Sequence, residues 1–353
     1  MKYNINPRRS KPYLPRAMSI YVTYKCNIRC QMCSIWKTRG IQKSNAELTL
    51  SELDEILSDS LFSKLEYINI NGGEPNLRDD LPEIAELFVE KFPRLQTITM
   101  NSNGLPPHRA HANVEAIGRI CQKNNIRFSV SISLHDLGRN YDQIAGIPDA
   151  YQKVLETLNR LKRIQDSLPF YLGINCVITD LNLDNLPRLK EWSETEQIPI
   201  NFTLGEVRER FHNLDTDVMK EIKTGKKADL VIFLRSLSKN KSLFNQHAYR
   251  YQQLADIIES KTSRKISCHY AMGGVILGSE GDLYYCKDSK SIGNCRKQQA
   301  SSLYFSKDNL KYRKKELIQT KCKSCPPNTF NRIELEKDLL KYLKFLIRRH
   351  SNS

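Results

Sequence analysis

Two hydrophobic periods alternate along this chain. LEYINING (65–72) alternates apolar and polar residues and is rich in Ile and Tyr, the pattern of a strand with one buried face. QTITMNSNG (96–104), RFSVSISLHD (127–136), YLGINCVITDLN (171–182) and IPINFTLGEVRER (198–210) read the same way. Between them, LPEIAELFVEKF (81–92), NVEAIGRICQKNN (113–125) and AYQKVLETLNRLKRI (150–164) space their apolar residues three and four apart, as a helix with one buried face does. With a further strand around AMSIYVTYK (17–25), the chain predicts six parallel β/α units, an α/β fold in the form of a partial, TIM-like (β/α)6 barrel. Such barrels collect reactive groups at the C-terminal ends of their strands. The sequence places Asn71, Glu74, Asn101, Ser102, Asn103, Ser133, His135, Asp136, Asn175, Thr179, Glu206 and Arg208 there. For Asp136 and Asp180, helix capping or turn formation is the plainer reading.

Cys26, Cys30 and Cys33 fall within eight residues, with no fourth cysteine beside them. The first residues are basic but lack the apolar stretch of a secretory signal, and no run approaches the roughly 18 to 20 apolar residues of a membrane span. A cytoplasmic protein is therefore expected, in which a cysteine cluster signals metal binding or catalysis before disulfides. Structural zinc takes four protein ligands in a closed site. Three thiolates in one loop suit an open site better, such as an iron-sulfur cubane whose remaining iron binds a small molecule.

The C-x3-C-x2-C spacing, with Met32 before the last cysteine and Gly72-Gly73-Glu74-Pro75 one strand-helix unit later, resembles the signature of radical S-adenosylmethionine enzymes. The resemblance implies that Cys26, Cys30 and Cys33 hold a [4Fe-4S] cluster that chelates S-adenosylmethionine. It also implies that Gly72, Gly73, Glu74 and Pro75 approach the amino group of that cofactor. Glycine suits such a place because a side chain would block the backbone. Asn101, Ser102, Asn103, Ser133 and Asn175 are the further cofactor-binding candidates. A Ser-Leu-Asp element of the family reads Ser133-Leu134-His135-Asp136 here, so Ser133 carries over while His135 stands where an acid usually falls. His135, Glu206 and Arg208 are the candidate catalytic residues, His135 for its ordinary pKa near 6.5.

A second cysteine pattern follows. Cys268 precedes a predicted hairpin, GGVILGSEGDLYY (273–285), with Gly281 in its turn, and Cys286 comes next. KCKSCPP then supplies Cys322 and Cys325. This resembles the auxiliary-cluster extension of the same family, in its shorter Twitch form rather than the longer SPASM form. The four cysteines would ligate one auxiliary [4Fe-4S] cluster, with zinc as the alternative. Cys295, in a connecting segment (291–305), is a spare thiol that could replace one of the four. Cys121 and Cys176 read as buried small residues. The chain divides into a basic arm (1–16), a barrel core (17–214), a helical linker that could help line a substrate site (215–260), a Twitch-like domain (261–330) and a basic amphipathic helix (331–353).

The formal net charge of +16 is uneven: +5 over 1–16, −1 over 17–260, +9 over 261–330 and +3 over 331–353. The excess beside the second cysteine set suits a phosphorylated or carboxylated substrate, an acidic electron donor such as flavodoxin or ferredoxin, an anionic membrane, or RNA. Nucleic acid is set aside for want of an aromatic stacking platform or RNA module. The last helix is expected to dock on its own domain through Leu335, Leu339, Tyr342, Leu343 and Leu346, with peripheral membrane contact as the lesser reading. The expected activity is hydrogen abstraction from, and oxidation of, a small anionic or polyhydroxylated molecule, as in the family's dehydrogenases. A peptide or sulfatase maturase is the alternative, and the sixteen residues before the first strand leave little room for a leader-binding domain. A non-catalytic iron-sulfur electron carrier would leave Gly72-Gly73-Glu74 unexplained.

Overall fold

The computed structural model describes residues 12–40, 47–208, 213, 218–220, 222, 225–239, 246–260, 262–329 and 332–351. The basic arm before residue 12, residues 209–210 of the sixth predicted strand and parts of the expected linker lie outside them. Strands β1 (Ala17–Tyr21), β2 (Tyr67–Asn71), β3 (Thr97–Ser102), β4 (Arg127–Ser133), β5 (Tyr171–Ile178) and β6 (Ile200–Leu204) pair side by side, all parallel. Helices α1 (Leu50–Leu57), α2 (Leu81–Lys91), α3 (Pro107–Lys123), α4 (Gly138–Ala145), α5 (Ala150–Gln165) and α6 (Leu186–Thr195) lie in the crossovers.

Register explains the two faces. Ser19, Asn69, Thr99 and Ser129 stand opposite one another across four strands, and so do Ile20, Ile70, Met100 and Val130. The apolar row is buried in one core with Leu87 and Phe88 of α2 and Val114 and Ile117 of α3. The polar row is left to the inner face of the barrel. A one-residue slip would exchange the rows, and each buried Ile or Leu withdrawn from water is worth about 1.5–3 kcal/mol. The fourth and fifth crossings turn earlier than the alternation predicts. Beyond Ile178 the Thr179 N–H donates to Asn182 Oδ1 at 2.9 Å, a local turn that ends pairing.

The sheet continues past β1. Strand β7 (Val275–Leu277) pairs parallel with β1, and β8 (Leu283–Tyr284) antiparallel with β7, giving the order β6-β5-β4-β3-β2-β1-β7-β8. The cysteine hairpin thus shares the barrel's sheet and core rather than standing apart. In its turn Gly281 adopts φ +93° and its N–H donates to the Gly278 carbonyl at 3.0 Å. Among the described residues the opposite edge is met by a side chain and not by a strand. The Leu204 N–H donates to Asn328 Oδ1 and Asn328 Nδ2 donates to the Leu204 carbonyl, both at 3.1 Å. Helices α7 (Lys227–Ser238) and α8 (Gln246–Ser260) cover this side, Phe233 meeting Phe202 edge-on at 5.0 Å.

Helix α9 (Arg332–Ser351) corrects the expected docking face. Tyr342 and Phe345 are buried and Leu335 and Leu346 pack partly against them, while Leu339 and Leu343 are exposed. The cause is Asp338, where the helix kinks at φ −103°, ψ 16°. Its buried carboxylate accepts the Ser267 N–H at 2.5 Å and the Ser267 hydroxyl at 3.0 Å, which fixes the face turned inward.

Candidate functional site

The loop leaving β1 carries Cys26, Cys30 and Cys33, and it is held from two sides. The Gly73 N–H donates to the Thr23 carbonyl at 2.8 Å and the Glu74 N–H to the Lys25 carbonyl at 2.7 Å. A Cβ on Gly73 would lie 2.2 Å from the Lys25 oxygen, and one on Gly72 2.7 Å from that of Thr23. These glycines therefore admit the backbone of the cysteine loop itself. On the other side, the Arg29 N–H donates to the Ala145 carbonyl at 2.8 Å and the Gln31 N–H to that of Ile144 at 3.0 Å. Gly146, at φ +68°, ends α4 where a Cβ would lie 2.5 Å from the Arg29 oxygen. The sequence reading missed Gly146; its one signal is a glycine closing a helix.

All three thiols resist ionisation. Burial pushes Cys26 up to about 12 and Cys30 well above the ordinary range, where Cys33 and Cys26 add their own repulsion; burial also raises Cys33. Crowded buried thiols of this kind ionise when a cation arrives, since a bound metal deprotonates its thiol ligands outright. The donor set thus fits an iron-sulfur group.

Glu74 is fully buried and turned into the protein. Its carboxylate accepts the Asn103 N–H at 2.6 Å, the Ser102 hydroxyl at 2.8 Å, and the Asn76 N–H and Nδ2 at 3.1 and 2.7 Å. Burial pushes its pKa up to about 7 against those four hydrogen bonds. Asn103 extends the network to the cysteine loop, donating from Nδ2 to Asn27 Oδ1 at 2.8 Å and lying 3.8 Å from the Cys26 sulfur. Glu74, Ser102, Asn103 and the buried Pro75 thus form one support behind Gly72 and Gly73.

Asn101, Ser133 and Asn175 lie on the inner face, with Ser133 and Asn175 in register. Asn101 Nδ2 donates to Asn69 Oδ1 at 3.2 Å and Asn71 Oδ1 at 2.8 Å. A second chain of amides begins at Arg250, fully buried and without an ion pair among the described residues. Its Nη2 donates to Asn201 Oδ1 at 2.5 Å, and Asn201 Nδ2 donates to Asn175 Oδ1 at 2.9 Å. That order leaves the Asn175 Nδ2 as a donor for the inner face. Neither Arg250 nor Asn201 was read as functional, because only the fold joins them.

His135, Glu206 and Arg208 are built into walls. Burial pushes the His135 pKa down to about 4, and its Nδ1 accepts the Val177 N–H at 3.2 Å. Glu206 is largely withdrawn from solvent, which would raise its pKa, yet Lys287 at 2.6 Å and Arg208 at 2.5 Å hold its carboxyl below the ordinary range. Arg208 also pairs with Asp288. The two residues after Cys286 are thereby clamped to the loop after β6.

Cys268, Cys286, Cys322 and Cys325 line one cavity of about 500 Å³. Burial pushes Cys322 up to about 12, helped by Cys268, Cys286 and Cys325 around it. Cys295 lies elsewhere, beside Asp59 and Asp282. Among the described residues, no three His, Cys, Asp or Glu side chains gather closely enough to hold a single metal ion. The other wall of the cavity is the barrel's inner face, with Ser19, Tyr21, Asn69 and Asn71. His135, Glu206 and Arg208 do not line it.

The sequence profile of the Radical SAM superfamily matches residues 20–189. Pre-heme d1 synthase of Dinoroseobacter shibae is 27% identical over 198 residues, 56% of this chain and 45% of that protein. A probable GTP 3',8-cyclase of Methanococcus maripaludis is 28% identical over 239 residues, 65% of this chain and 72% of that protein. PqqA peptide cyclase of Granulibacter bethesdensis is 28% identical over 178 residues, 50% of this chain and 43% of that protein. The chain therefore spans less than half the length of the first and third. The solved structure of native anSMEcpe with bound AdoMet and Cp18Cys peptide shares the fold, with a TM-score of 0.58 at 15% identity over 96% of this chain and 98% of that one. Among the described residues no helix is long and apolar enough to cross a membrane.

Proposed function

Since this chain belongs to the radical S-adenosylmethionine superfamily, we propose that it oxidises a small anionic or polyhydroxylated molecule bound between the barrel's inner face and the second cysteine set. Cys26, Cys30 and Cys33 would hold the [4Fe-4S] cluster, and Cys268, Cys286, Cys322 and Cys325 one auxiliary cluster. With S-adenosylmethionine bound, the first would supply a 5'-deoxyadenosyl radical to take one hydrogen atom from the substrate, and the auxiliary cluster would accept the remaining electron as the substrate radical gives up a proton. The backbones of Gly72 and Gly73, with Asn101, Ser133 and Asn175 on the inner face, are the groups to meet S-adenosylmethionine. Glu74, Ser102 and Asn103 hold those backbones in place.

The observation that carries the substrate reading is the charge of the cavity wall. Arg264, Lys287, Arg313, Lys321, Lys323 and Lys337 line it, against Asp288 as the one acid among the described residues. Lys287 is spent on Glu206, while the Lys323 ammonium has no side-chain partner among the described residues and is available to an anion. At the other end, Ser19, Asn69 and Asn71 offer hydrogen bonds without charge, as hydroxyl groups require. A molecule with an anionic end toward the auxiliary cysteines and hydroxyls toward the barrel fits both walls. The relatives named GTP 3',8-cyclase also act on an anionic compound.

The test is an anaerobic assay of the reconstituted protein with S-adenosylmethionine, dithionite and a panel of phosphorylated or carboxylated sugars and cyclitols beside short peptides. One small anionic compound should accelerate 5'-deoxyadenosine release and be recovered oxidised, with Lys323→Glu raising its KM. Acceleration by peptides alone would replace this reading with a peptide-modifying one.

A further inference from the structure

Helix α9 has three sides. Tyr342 and Phe345 face inward against Tyr249, with ring centroids at 5.9 and 5.2 Å. Docking is reinforced by two carboxylates that grip the chain on either side of Cys268. Asp338 accepts the Ser267 N–H at 2.5 Å, and Glu334 accepts the His269 N–H at 3.1 Å and meets His269 Nδ1 at 2.5 Å. The helix is therefore anchored, and its outward sides are fixed in direction.

Next to the docked side lies a second apolar side. Leu339, Leu340 and Leu343 are 49%, 76% and 44% exposed, and the exposed Ile347 continues their row. At 3.6 residues per turn these four positions cover an arc of about 100°. Beyond that arc come the exposed Lys344 and Arg348, while Lys341 on the same flank donates to Asp338 and to the Lys265 carbonyl, both at 2.8 Å. An exposed leucine row bordered by basic residues is the layout of a helix lying in the plane of a membrane surface.

We infer that this side of α9 docks on an anionic lipid surface, with Leu339, Leu340 and Leu343 entering the boundary between headgroups and acyl chains and Lys344 and Arg348 on lipid phosphates. Charge complementarity selects that occupant. A second copy would bring an identical basic row against this one, on a chain of formal charge +16. Protein partners draw their affinity mainly from Trp, Tyr and Arg anchors in pockets, whereas this arc is aliphatic and convex. The inference rests on α9 alone and is independent of the substrate.

The test is sedimentation of the reconstituted full chain with vesicles of phosphatidylcholine, alone or with about one third phosphatidylglycerol, at about 0.1 M salt. Anionic vesicles should bind on the order of tenfold tighter or more, since each basic residue near such a surface is worth about a factor of five. The double substitution Leu340→Glu with Leu343→Glu, on exposed positions, should abolish binding while circular dichroism and iron content stay those of the parent. No binding, equal binding to both vesicles, or full binding by the double variant would overturn the inference. So would a dimer in light scattering that the double variant dissolves, which would give this side to a second copy.

Discussion

The Glu74 carboxylate accepts the Asn103 backbone N–H at 2.6 Å, joining the loops that follow β2 and β3 behind the cysteine loop. The same carboxylate takes three further donors from Ser102 and Asn76. Glu74→Gln must turn its amide NH2 toward one of those donors, leaving a buried N–H or hydroxyl unpaired. A loss of about 1–3 kcal/mol is expected in urea unfolding. Because Asn103 reaches Asn27, iron retained at the first cluster should fall as well. A variant with the parent's midpoint and iron content would show that Glu74 is dispensable to the loop.

His135 supplies a pH dependence. Its folded pKa of about 4 lies below the unfolded value near 6.5, so the unfolded chain takes up a proton that the folded chain refuses. Stability from this residue is complete above pH 6.5 and declines as the pH falls through 6.5 toward 4, by up to about 3 kcal/mol. His135→Gln, which keeps an acceptor for the Val177 N–H, should remove that component of the slope in urea midpoints measured from pH 5 to 8. An unchanged slope would assign the acid sensitivity to other groups.

Glu206 and Lys287 form the clamp between β6 and the Cys286 segment. The pair is partly buried and Arg208 still faces Glu206 when Lys287 is lost, so Lys287→Met should cost about 1–3 kcal/mol. Glu206→Gln with Lys287→Met should cost less than the sum of the single changes. Additive losses in the double-mutant cycle would mean that the two side chains act separately.

Iron content separates the two cysteine sets. The reconstituted chain should bind about eight irons as two cubanes, and Cys322→Ala with Cys325→Ala about four. The first cluster should still cleave S-adenosylmethionine in that variant. Zinc in place of the second half of the iron would remove the auxiliary cluster.

The strands and their inward polar residues were legible because Asn69, Asn101 and Asn175 alternate with Ile and Met at a period of two. The cysteine sets were legible from spacing. The supports were not, since each joins residues far apart in the chain: Gly146 to Arg29, Arg250 to Asn201, Asn328 to Leu204. The purpose of Gly72 and Gly73 was half read, as a need for close approach, while the atoms approached are carbonyls of the cysteine loop. In α9 the sequence read Leu335, Leu339, Tyr342, Leu343 and Leu346 as one docking face, and the buried Asp338 turns Tyr342 and Phe345 inward and leaves Leu339 and Leu343 exposed.

The position of β7 beside β1 has a consequence for biosynthesis. A chain leaving the ribosome can lay down β1 to β6 in order, yet the outer edge of β1 stays open until residues 275–277 emerge. The outer edge of β6 waits longer still, for Asn328. Unpaired edges invite pairing with other chains, and contacts so distant in sequence form slowly. Both seals belong to the segment that carries the auxiliary cysteines, so closing the barrel during synthesis and assembling the second cysteine set are one folding event.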